Sequence, residues 1–204
     1  MMRCESVVLK VEKMVSAGKQ LIFSVSICSL FSVLGFSSAF AAPNAGVDRL
    51  QSAHSQEILN AAKASVGKEM WKGFGLPNGG LGCAASLSNV LGKAGVKYAR
   101  SPVTKVVRQK LLSGPVKTAE YVVKEGGDGP INDRALAKVA KPGDVLVAFM
   151  DPLPKGNIGP KAHCGIIGPD GTVFTNDWND GIWKHADIHT YFDSYRHIRV
   201  IRLQ

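Results

Sequence analysis

Apolar positions recur at helical spacing through the first part of the chain and crowd into short runs in the second. Over "SQEILNAAKASVG", Ile58, Leu59, Ala62 and Val66 share one face and Gly67 ends the pattern, which predicts an amphipathic helix. "CAASLSNVLGKAG" repeats the spacing with Leu87, Val90, Leu91 and Ala94. Gly92 costs that helix about 1 kcal/mol without abolishing the pattern. Residues 97–140 pattern weakly: a helical stretch around "VTKVVRQKLL", a turn-forming "EGGDGP", and "NDRALAKVA", which Asn132 or Asp133 can cap. From Lys141 the character changes to strand, with "GDVLVAF", "HCGIIG", "TVFTN" and "RHIRVIRL" separated by Pro and Gly turns. Helices first and an antiparallel meander second predict an α+β fold, with N-terminal helices packed on a small antiparallel β-sheet.

Charge and composition refine this picture at the N-terminus. Arg3, Lys10, Lys13 and Lys19 precede the uncharged "LIFSVSICSLFSVLGFSSAF", and Ala39-Phe40-Ala41 fits a small-residue cleavage site. Residues 1–41 therefore read as a secretory signal, residues 42–55 as a polar lead-in, and 56–204 as one folded domain. The apolar run approaches spanning length, but its serines and small-residue exit favour cleavage over anchoring. Export to a periplasm or the exterior follows. The chain carries a net charge of +9, and its mature part stays basic, which suits an anionic cell-envelope surface as a partner. Basic residues are not interleaved with aromatics as a nucleic-acid platform requires, so no nucleic acid is expected. A monomer is expected.

Signal removal takes Cys4 and Cys28 with it and leaves Cys83 and Cys164. In an oxidising compartment the two could form a disulfide, and that reading competes with Cys83 as a free nucleophile. Cys83 follows "LPNGGLG" and opens the second helix, where unpaired backbone N–H groups and the helix dipole favour a thiolate. Gly79, Gly80 and Gly82 leave the backbone open to a substrate, and the N–H groups of Gly82 and Cys83 could face an oxyanion. His163 opens the strand "HCGIIG", and a strand packed on the helix can carry its imidazole to the cysteine. Side chains alternate along a strand. If His163 faces the helix start, Cys164 should face away as a small core residue, which argues against the disulfide. Trp71 and Trp178 could line a substrate groove. The loop "DPLPKGNIGPK" could overhang it. In "HADIH", His185 and His189 lack an evident third ligand, so they read as surface histidines and no metal site is expected.

The order of "MWKGFGLPNGGLGCAASLSNVLGKAGV", "KPGDVLVAF" and "HCGIIGPDG" resembles the NlpC-type papain-like cysteine peptidases that cut peptidoglycan, and their CHAP-type amidase relatives. The resemblance spans most of residues 56–204. It implies a papain-like fold with Cys83 as nucleophile, His163 as general base and Pro142-Gly143-Asp144 as the turn that opens the sheet. It implies no cofactor, and a peptidoglycan or muropeptide substrate. The family's D-C-S-G reads Gly82-Cys83-Ala84-Ala85 here, so the Asp and Ser that help read the stem peptide are missing. A third residue should orient the imidazole from the next strand. A two- or four-residue turn before that strand pairs His163 with Asn176, and a three-residue turn ending at Gly171 pairs it with Asp177. An ungapped match to the family points at Thr175. Asn176, whose amide oxygen can accept from the ring N–H, is the expectation. The function expected is a secreted cysteine hydrolase that cleaves a stem-peptide amide through a thioester. The alternatives are a non-catalytic wall-binding module and an exported amidase or toxin acting on an amide outside peptidoglycan.

Overall fold

The structure, a computed structural model, describes residues 53–153 and 161–204. The expected signal segment and residues 154–160 of the expected overhanging loop lie outside them. Helices α1 (Ala53–Ser65), α2 (Cys83–Lys93) and α3 (Thr104–Ser113) come first, with a 3₁₀ turn at Lys97–Ala99. They lead into β1 (Thr118–Glu125), α4 (Asp133–Val139), β2 (Val145–Phe149), β3 (Ala162–Ile167), β4 (Thr172–Asn176), β5 (Trp183–Asp187), α5 (Ile188–Phe192) and β6 (His197–Leu203). The fold is α+β, as the sequence predicts. The first helix begins at Ala53, inside the stretch read as a lead-in, and Val66 lies beyond its end and is exposed. Asn132 caps α4, its side chain accepting from the Ala135 N–H.

Six strands form one sheet in the order β1-β6-β2-β3-β4-β5, with every neighbouring pair antiparallel. Strands β2 to β5 are a meander, and the last strand inserts between β1 and β2. Alternation divides the core in two. Val145, Val147, Phe149, Ile166 and Phe174 face Ile58, Leu87, Leu91, Val107 and Leu111 of α1, α2 and α3. Leu146, Ala148, Ile167, Val173, Ile198 and Val200 face Leu136 of α4, Ile188 and Phe192 of α5, and Tyr195. The sheet is therefore covered on both sides, where the sequence suggested N-terminal helices alone. The uninterrupted burial of "VLVAF" is what a doubly covered strand requires.

One turn ties the layers together. Gly143 has φ +91° and packs so closely on α1 that a Cβ there would lie 2.0 Å from the Ser55 carbonyl oxygen. Asp144, fully buried, accepts from the Lys141 N–H (2.8 Å) and from the Arg202 guanidinium (2.7 and 3.1 Å). Burial pushes its carboxyl up even so. Its work is structural.

Candidate active site

Cys83 is the first residue of α2. The loop before it is held by contact too close for side chains: a Cβ on Gly82 would lie 2.5 Å from the Trp71 Cβ, and one on Gly79 would lie 2.4 Å from the Gly181 Cα. Trp71 is thus a packing wedge under this loop and does not line the cavity at Cys83. The Gly82 N–H donates to the Gly79 carbonyl (2.9 Å), so it is not open to an oxyanion as the sequence suggested. The Cys83 N–H, at the first helical position, has no carbonyl of its own helix to reach.

The hairpin from β3 to β4 decides what surrounds the thiol. Gly168 N–H bonds the Thr172 carbonyl across the three-residue loop Pro169 to Gly171, with Asp170 at φ 52° and Gly171 at φ 74°. The resulting register pairs Gly165 with Thr175 and puts Thr175 and Asp177 on the face of His163, and Asn176 on the opposite face. Pairing between β3 and β4 ends at Gly165, while Ala162, His163 and Cys164 remain paired to β2. The start of α2 sits at the edge thus exposed, with the Cys83 Sγ 3.9 Å from the Ala162 carbonyl oxygen.

This edge position brings both neighbouring side chains of β3 to the thiol. His163 walls the same cavity as Cys83, Cys164 lies in the same core cluster, and Thr104 Oγ1 of α3 is 3.8 Å from both sulfurs. The expectation that Cys164 turns away from Cys83 fails because the thiol meets the strand at its edge and not over one face. Both cysteines are free thiols. Hydrogen bonding from Cys164, against the opposing effect of burial, and the hydrogen bond and charge of His163 hold the Cys83 thiol well below its ordinary value. Burial, and then the adjoining Cys83, push Cys164 well above. Burial, and then the two cysteines, also raise the Tyr195 hydroxyl.

Asn176 is not the partner of the imidazole. Its carbonyl oxygen accepts from the Ser86 hydroxyl (2.7 Å), and its amide donates to the carbonyls of Gly79 (2.8 Å) and Asp177 (3.1 Å). It fastens the end of β4 to α2 and to the glycine loop. Thr175 takes the place expected of Asn176, with Oγ1 2.8 Å from His163 Nε2 and 2.7 Å from the Cys164 carbonyl oxygen. A hydroxyl has one hydrogen, and a carbonyl can only accept it. Thr175 therefore donates to the Cys164 carbonyl and accepts from Nε2–H, which assigns the neutral ring its Nε2–H tautomer and leaves a lone pair on Nδ1.

Asp177 acts at one remove. It accepts from Lys184 (2.7 Å), the Asn179 N–H (2.7 Å) and the Tyr191 hydroxyl (2.9 Å). Burial raises its carboxyl, but these donors, Lys184 foremost, outweigh it and bring it to about 2. Tyr191, so held, stacks on His163 at 5.8 Å and 16°. Phe192 at 5.1 Å, Tyr195 at 6.2 Å and Trp178, edge-on at 5.4 Å, complete an aromatic collar. Trp178 is 43% exposed and lines the cavity. That cavity, of about 330 Å³, is walled by Gly80, Leu81, Cys83, Ala162, His163, Trp178, Ser194 and Tyr195.

Sequence reasoning missed Thr104, Tyr191, Ser194 and Tyr195. Thr104 stands in the weakly patterned region and the other three in a five-residue helix and its exit, so no periodicity marks them. The "HADIH" histidines part company: His185 on β5 stacks on Phe174 (4.3 Å), and His189 on α5 bridges Asp133 and Asp193. Among the described residues no cluster of three metal-ligating side chains occurs.

No family model matches the chain, and no curated protein matches it. Among solved structures it is similar to NlpC1 from Trichomonas vaginalis, at 16% identity and a TM-score of 0.41 over 71% of this chain. The match covers 42% of that protein, so this chain spans less than half of its length.

Proposed function

We propose that the protein is an exported cysteine hydrolase that cleaves an amide bond in the stem peptides of peptidoglycan. The observation that carries the reaction type is the shared cavity of Cys83 and His163, with Thr175 fixing the ring so that Nδ1 is the free base. The order of sequence motifs and the basic charge support the substrate, and the leader sequence supports export. His163 Nδ1 takes the Cys83 proton, and the thiolate attacks the amide carbon. The Cys83 N–H holds the oxyanion. Collapse breaks the C–N bond as the imidazolium returns its proton to the leaving amine, and water activated by the same Nδ1 then hydrolyses the thioester. Thr175 accepts from Nε2–H in both charge states of the ring.

One observation favours a second target for the same chemistry. Gly82 and Ala84 stand where the family's Asp and Ser would read the stem peptide, and the described cavity walls add no charged side chain to Cys83 and His163. An uncharged N-acyl amide fits such walls. Digestion of purified peptidoglycan followed by mass spectrometry tests the proposal: a new amine released by the protein, and not by Cys83→Ala, is the expected result. Release from neutral N-acyl amides alone would select the second target. No release from either would leave a wall-binding module.

A further inference from the structure

Cys164 takes no part in the hydrolytic steps, yet it shares a core cluster and the Thr104 contact with the nucleophile. It is fully buried on the α2 side of β3, whereas Cys83 is 9% exposed on the cavity wall. The Thr104 hydroxyl is 3.8 Å from each sulfur, and both thiols are free. An oxidant entering the cavity therefore meets Cys83 first, with a second thiol buried beneath the cavity wall on the same Thr104 hydroxyl. We propose that Cys83 and Cys164 are a reversible redox pair, in which a peroxide oxidises Cys83 and Cys164 resolves it to a disulfide that switches the site off.

The switch rests on the reading of Cys83 as the nucleophile. The chemistry balances as two steps. The Cys83 thiolate attacks one peroxide oxygen, an S–O bond forms, the O–O bond breaks, and hydroxide leaves. The Cys164 sulfur then attacks the sulfenic sulfur, an S–S bond forms, the S–O bond breaks, and the departing hydroxide leaves as water with the Cys164 proton. Two electrons pass from the two thiols to the peroxide. Burial and the adjoining Cys83 keep Cys164 protonated at rest, and the second of these restraints disappears once Cys83 is a neutral sulfenic acid. A dithiol reductant reverses the change. The alternative fate of Cys83, the sulfinic acid, is irreversible to such a reductant, which makes Cys164 a protecting residue as well.

The test is peptide mapping without reduction after the isolated protein is treated with limiting hydrogen peroxide. The expected result is a Cys83–Cys164-linked peptide, with iodoacetamide labelling of Cys83 lost and then restored by dithiothreitol. In Cys164→Ser and Cys164→Ala, Cys83 should pass to sulfinic acid and its labelling should not return. Wild-type protein that accumulates sulfinic acid at Cys83 while Cys164 remains a thiol overturns the proposal, and this arm does not depend on either variant folding. The mapping needs no substrate. A linked peptide in a protein that hydrolyses no amide would sink the hydrolase, and with it the switching role, while keeping the redox pair; hydrolysis without a linked peptide would overturn the pair and keep the hydrolase.

Discussion

Thr175 and Asn176 are neighbours on β4 with opposite fates, and the difference is one residue of loop length. The three-residue turn before β4 sends Thr175 to the imidazole and Asn176 to α2. Thr175→Val, nearly the same shape, removes both hydrogen bonds and leaves the Nε2–H and the Cys164 carbonyl unpaired. Turnover should fall roughly tenfold to a hundredfold, part of the 10²–10⁴ that a placed general base supplies. KM should change little, and Thr175→Ser should restore kcat. Asn176→Ala should act on stability instead. It orphans buried polar groups at about 1–3 kcal/mol each, so a thermal melt should show Tm lowered by roughly 4–10 °C. That Cys83 and His163 meet in one cavity was legible in the sequence, because a glycine-rich helix start and a strand opening with histidine are local signals. The third member was not, because pairing register depends on a turn whose length the Gly168 to Gly171 stretch leaves open.

At the scale of elements, α5 decides how firmly the imidazole is held, and its anchors are ionic. Asp177, brought to about 2, receives Tyr191 of α5 and Lys184 of β5. A carboxyl lowered on folding contributes stability that is complete above its unfolded value near 3.9 and is lost as pH falls through about 2. Asp177→Asn should therefore lower Tm at neutral pH and converge on wild type in strong acid, measured as a series of melts. On the far side, His189 joins Asp193 of the α5 exit to Asp133 of α4. The hydrogen bond to Asp193 is the main cause that raises His189, with burial opposing and Asp133 assisting. A group raised on folding contributes fully below its unfolded value near 6.5 and loses that contribution as pH rises through the folded one. His189→Ala should cost stability at about pH 5.5 and little at about pH 9. The ring is partly exposed, so the difference is small. Neither α5 nor β5 announced itself: "WKHAD" and "IHTYF" are too short for a period to emerge. β1 is an edge strand half-buried along most of its length, which erases the alternation that marks a strand.

For the molecule as a whole, the site arises where two layers meet at a broken edge. β4 parts from β3 beyond Gly165, α2 begins in the gap, and α5 closes over the imidazole from the opposite side of the sheet. The helices-then-strands order and the α+β fold were readable from periodicity. Cover on the second face was not, because it comes from α4 and α5, which carry little apolar pattern of their own. Export is part of the proposed function, and N-terminal sequencing of the protein recovered outside the cytoplasm should begin at Ala42. The central claim is that His163 is the base for Cys83. The direct test is the rate of iodoacetamide alkylation of Cys83 between pH 5 and 10, in wild type and in His163→Ala. Wild type should titrate well below the value of about 8.5 for a free cysteine. The variant should titrate higher, short of the free value, because Cys164 and Thr104 still face the sulfur. Identical titration curves with and without His163 would contradict the account.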